Sequence, residues 1–81
     1  MPSNTDVELA ARLVAALYHA TGGQPRLYRR IDECAAEAGI DNPVDIQRAL
    51  TAAARTGFLM VHIEQSLAML TPQGLDAVRW G

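Results

Sequence analysis

The stretch Gly39-Ile40-Asp41-Asn42-Pro43 constrains this chain more than any other, because it stops one helix and starts the next within about three residues. Gly39 suits the left-handed conformation that ends a helix, and Ile40 is placed for the hydrophobic contact that accompanies such a stop. Asn42 is a good N-cap, and Pro43 fits the first helical position, where its missing N–H costs nothing. The pair Gly57-Phe58 repeats the glycine-plus-hydrophobe stop, so the spacing predicts a helix over 43–56 with Ile46, Leu50, Ala53 and Ala54 on its buried stripe. Only 81 residues surround these signals, which is enough for one compact core and rules out a multidomain enzyme. With 49% hydrophobic and 20% charged residues, the composition is that of a folded globular chain, a single domain over 1–81.

The remaining elements follow from the same kinds of signal. A first helix is expected to begin at Asn4 or Thr5 and end at Gly22-Gly23, with Leu9, Ala10, Leu13, Ala16, Leu17 and Ala20 on one face. Val7, Val14 and Tyr18 widen that apolar face beyond what a single core needs, which suggests a second partner. Arg26-Leu27-Tyr28 can add a strand to a small sheet. Arg29 and Arg30 then open a second helix that carries Ile31, Cys34, Ala35 and Ala38, with Glu33 in reach as an ion-pair partner for both arginines. Phe58 to Ile63, a turn at Glu64-Gln65-Ser66 and Leu67 to Leu70 form a hairpin, and Thr71-Pro72 caps a last helix bearing Leu75, Val78 and Trp80.

In this order the elements resemble a winged helix-turn-helix domain. Glu33 to Ile40 is similar to the first helix and turn of that motif, and Leu70-Thr71-Pro72-Gln73-Gly74 is similar to the Leu-Thr-x-x-Gly step that leaves the last wing strand in many bacterial regulators. The resemblance covers nearly the whole chain. It implies a mostly helical α+β fold with a three-helix core, a small β-hairpin wing and a C-terminal helix. It also implies a small transcriptional regulator that lays its helix 43–56 in the major groove of double-stranded DNA. On that helix Gln47, Arg48, Thr51 and Arg55, with Val44 and Ala52, are expected to face outward, and Arg or Gln can pair with guanine or adenine edges. Arg29 and Arg30 are the expected phosphate contacts.

Charge counts against tight DNA binding. The net charge is −2, and residues 1–25, 26–56 and 57–81 carry −1, 0 and −1, so no segment is basic. Asp41 and Asp45 bracket the start of the recognition helix, and the wing residues His62, Glu64, Gln65 and Ser66 include no arginine. A homodimer joined through the first and last helices would double the contacts, with Val7, Val14, Tyr18 and Trp80 at its interface. The same residues support an alternative reading from a different class, a winged-helix module that dimerises or docks on a protein partner and leaves DNA alone. The two readings separate on whether Arg29, Arg30, Arg48 and Arg55 share one continuous face.

Catalysis, metal binding and cofactors are not expected. Cys34 sits among small apolar residues, and Cys34, His19 and His62 fit no metal spacing. The chain shows no Gly-rich phosphate loop and no Gly-x-Ser-x-Gly, and the adjacent Asp32 and Glu33 diverge on a helix. The longest apolar stretch, Leu9 to Leu17, is broken by Arg12 and is too short to span a bilayer. With one cysteine and no basic-then-apolar leader, the expected compartment is a reducing cytoplasm.

Overall fold

A computed structural model describes residues 4–24 and 27–80, leaving the side chains of Asn4, Ile63 and Trp80 aside. The elements run α1 (Asn4–Thr21), β1 (Tyr28–Arg30), α2 (Ile31–Glu37), α3 (Pro43–Arg55), β2 (Leu59–His62), a 3-10 turn (Ile63–Gln65), β3 (Leu67–Leu70) and α4 (Pro72–Trp80). The fold is α+β and mostly helical, as expected.

Both glycine stops form as the sequence dictates. At the end of α2, Gly39 takes φ +77°, its N–H donates to Ala36 O at 3.1 Å, and the Ile40 N–H donates to Ala35 O at 2.9 Å. At the end of α3, Gly57 takes φ +79°, and the Phe58 N–H donates to Ala53 O at 3.0 Å. Two orphan carbonyls are satisfied at each site, and Ile40 drops into the core. Asn42 caps α3 by accepting the Val44 N–H on Oδ1 at 2.8 Å, with Pro43 in the first turn.

The sheet is ordered β1-β3-β2 and is antiparallel throughout. Leu59 pairs with Leu70 and His62 with Leu67 in the hairpin, and β1 adds to the other side of β3 through Tyr28–Met69, Arg29–Ala68 and Arg30–Leu67. Leu59, Ala68 and Leu70 turn their side chains into the core, which α1 supplies with Leu13, Val14 and Leu17. Because α1 packs against all three other helices and against β1 and β3, most of its wide apolar face is used within the chain, the exposed Val7 excepted. Val14 is therefore a core residue, 3% exposed, and not part of an interface as expected.

Thr71 joins the end of α3 to the start of α4. Its N–H donates to Phe58 O at 3.1 Å and its hydroxyl to Gly57 O at 2.5 Å, while Oγ1 accepts the Gly74 N–H at 3.0 Å. Gln73 adds a bond from Nε2 to Thr56 O at 3.1 Å. Gly74 lies so close to this turn that a Cβ there would meet Phe58 O at 2.2 Å.

Three expectations are corrected. The first strand lies at Tyr28–Arg30 instead of 26–28, because β1 takes its register from β3 and the Ile31 N–H donates to Ser66 O at 2.8 Å; Arg26 lies outside the described residues. Arg29 and Arg30 thus belong to a strand, with Arg30 at its end also the N-cap residue of α2, and Arg30 pairs with Asp32 at 3.1 Å instead of with Glu33. On α3 the buried stripe is Ala49, Leu50, Ala52 and Ala53, so Ala52 faces inward and Ala54 is exposed. The cause is α1, which packs along α3 and turns the helix so that its alanines meet the larger side chains of α1.

Candidate nucleic-acid interface

The outward face of α3 is built from two adjacent rows at helical spacing. Ile46, Leu50 and Ala54 form one row at the edge of the buried stripe, half-buried at Ile46, buried at Leu50 and exposed at Ala54. Gln47, Thr51 and Arg55 form the next row, and all three are exposed. Together with the sheet and the start of α2 these rows bound a groove of about 560 Å³. Ile31, Ile46, Leu50, Ala54 and Val61 are its apolar lining, and Arg30, Asp32, Gln47, Thr51, Arg55 and Ser66 are its polar lining.

Four of the six residues nominated for DNA contact, Arg30, Gln47, Thr51 and Arg55, therefore meet at one groove. The other two do not. Arg48 lies toward α1, where its Nε is 2.7 Å from Asp6 Oδ1. Arg29 pairs with Ala68, one residue along the strand from Arg30, so strand alternation sends the two arginines to opposite faces of the sheet. The four arginines do not form one continuous face.

Arg30 is already neighboured by the Asp32 carboxylate, an exposed pair of small energetic value. Among the described residues, no carboxylate stands within ion-pair distance of Arg55. The hairpin adds no cation, and its exposed His62 shares a hydrogen bond of 2.8 Å between Nε2 and the Tyr28 hydroxyl, with ring centroids 5.0 Å apart. Sequence reasoning assigned Leu50 and Ile46 wholly to the core and did not find the groove. The 46–50–54 row was visible as a helical repeat, but the wall opposite it comes from β2 and α2. The Asp6–Arg48 pair has no local signal, since 42 positions separate its members.

The expected interface residues are also dispersed. Val7 is 53% exposed on α1, whereas Tyr18 is half-buried and its ring lies against Gly23. The Trp80 side chain lies outside the described residues. Cys34 is buried, and its thiol is pushed up to about 11 from an ordinary 9.0, first by burial and then by the nearby Glu37 and Glu33 carboxylates. A thiol held protonated in this way is a poor nucleophile. Among the described residues, no group of three or more His, Cys, Asp or Glu side chains is arranged to hold a metal ion, and no helix is long and apolar enough to cross a membrane.

Comparison with known proteins returned no matching family model, no matching curated protein and no matching solved structure.

Proposed function

We propose that the chain is a winged helix-turn-helix domain that binds duplex DNA through α3 as a small transcriptional regulator. One observation carries this reading: Gln47, Thr51 and Arg55 form an exposed row on the helix that follows the tight turn, and Arg30 faces the same groove. A row of this kind presents a bidentate amide, a small hydroxyl and a guanidinium, the side chains suited to base edges and phosphates in the major groove. With Arg30 and Arg55 as the phosphate contacts, binding is weak and its salt dependence shallow, with a slope near −2 in log K against log salt for each chain. A homodimer doubles that slope.

Titration of fluorescent duplex DNA at several salt concentrations, with the mass of the protein fixed by sedimentation equilibrium, tests the proposal. Arg30→Ala and Arg55→Ala should each weaken binding to all sequences and reduce the slope by about one per chain. Failure to bind duplex at low salt removes the reading.

A second reading is supported by the dispersal of the arginines and the net charge of −2: the same scaffold serves as a protein interaction module. Blindness to DNA at low salt, combined with a defined oligomer, selects it.

A further inference from the structure

The groove beside α3 has a lining that DNA does not explain. Ile31, Ile46, Leu50 and Val61 offer it aliphatic surface, and phosphates gain nothing from such surface. Its volume of about 560 Å³ lies within the roughly 300–1,000 Å³ of small-molecule sites, and it shares their character of an apolar wall with a few polar groups at the edge. The polar groups select the ligand's charge. Arg55 has no carboxylate partner among the described residues, whereas Arg30 faces Asp32 at 3.1 Å, so of the two guanidiniums at the groove Arg55 is the one with no acid beside it, and Asp32 repels further negative charge. One uncompensated guanidinium beside an acid matches a monoanion better than a phosphate dianion, and its planar fork fits a carboxylate through two parallel hydrogen bonds.

We propose that this groove binds a small amphipathic carboxylate, with its alkyl or aryl body along Ile31, Ile46, Leu50 and Val61 and its carboxylate on Arg55. Thr51 stands one helical turn from Arg55 and is placed to donate a further hydrogen bond to the head group, whereas Gln47, two turns away, lines the far end of the groove. The site does not depend on DNA binding. Where the regulator reading holds, ligand and duplex compete for Arg55, Gln47 and Thr51, so the ligand weakens DNA binding.

Octanoate, below its micellar range, is the probe, and the chain's amide NMR shifts are the readout. Octanoate should shift the amides of Thr51, Ala54 and Arg55 saturably, while octyltrimethylammonium, with the same tail and opposite charge, should bind more weakly. Arg55→Leu should lower octanoate affinity about tenfold, the loss expected for one charge-assisted pair, and leave 1-octanol unaffected. Ala54→Trp, at an exposed position on the groove wall, should block both octanoate and 1-octanol while the remaining spectrum stays folded. Equal binding of the cationic and anionic probes, an unchanged affinity in Arg55→Leu, shifts that map away from the groove, or no binding at all would each overturn the proposal. Adding duplex DNA separates the two ideas: octanoate binding without DNA binding keeps the ligand site and removes the regulator, and DNA binding without octanoate binding does the reverse.

Discussion

Arg48 on α3 sets its Nε 2.7 Å from Asp6 Oδ1 on α1, across the most extensive helix packing in the molecule. An arginine that the sequence presents as a base-reading residue is thereby tied to the scaffold. Asp6 Oδ1 is shielded from solvent, while the Arg48 side chain is 45% exposed, so the pair is intermediate between a surface and a buried one.

Arg48→Ala should accordingly lower stability by about 0.5–1 kcal/mol in urea unfolding, the range of partly exposed pairs. Asp6→Asn should cost a similar amount, and the double variant should cost less than the sum of the two. Neither substitution should alter DNA sequence preference. A relaxed preference with about 1–3 kcal/mol of lost binding in Arg48→Ala, as a base contact predicts, would show that the pair opens on DNA.

Cys34 makes stability fall at high pH. The folded thiol holds its proton up to about pH 11 against an ordinary 9.0, so the unfolded chain ionises first and the difference favours unfolding as pH rises. The contribution is complete below pH 9 and is lost between pH 9 and 11, to a limit of roughly 3 kcal/mol. Cys34→Ala should flatten the stability profile over that window relative to the parent chain. At neutral pH a thiol reagent should label Cys34 only at the rate of opening.

Gly74→Ala should be among the most damaging single changes. Its Cβ would lie 2.2 Å from Phe58 O, a backbone atom held by the Thr71 N–H, and 3.0 Å from Leu70 Cδ2, so the backbone itself must shift. We expect a loss of about 2–3 kcal/mol in denaturant midpoint measurements, from overpacking.

Asn42→Ala removes the side chain that accepts the Val44 N–H and should destabilise the fold by about 1 kcal/mol. Asn42→Asp retains an acceptor and should be near neutral. Since Pro43 still presets the first turn, circular dichroism should show α3 intact in both variants.

Helix stops, caps and the hairpin were legible because each is decided within a few residues. Gly39 with Ile40, Asn42 with Pro43, Gly57 with Phe58 and Thr71 with Pro72 specify their own backbone geometry and hydrogen bonds through local sterics, and all of them form. The rotation of α3 is different. Whether Ala52 or Ala54 turns inward depends on how α1 lies against the helix, a contact between segments some forty residues apart that periodicity alone leaves undetermined among neighbouring alanines. The same holds for Val14, whose burial required several elements to gather around α1. Arg48 and Arg55 are alike in sequence terms, two exposed arginines on one helix. Tertiary packing alone paired the first with Asp6 and left the second at the groove, because an arginine's role is set by which charge and which surface the fold brings within reach of its guanidinium.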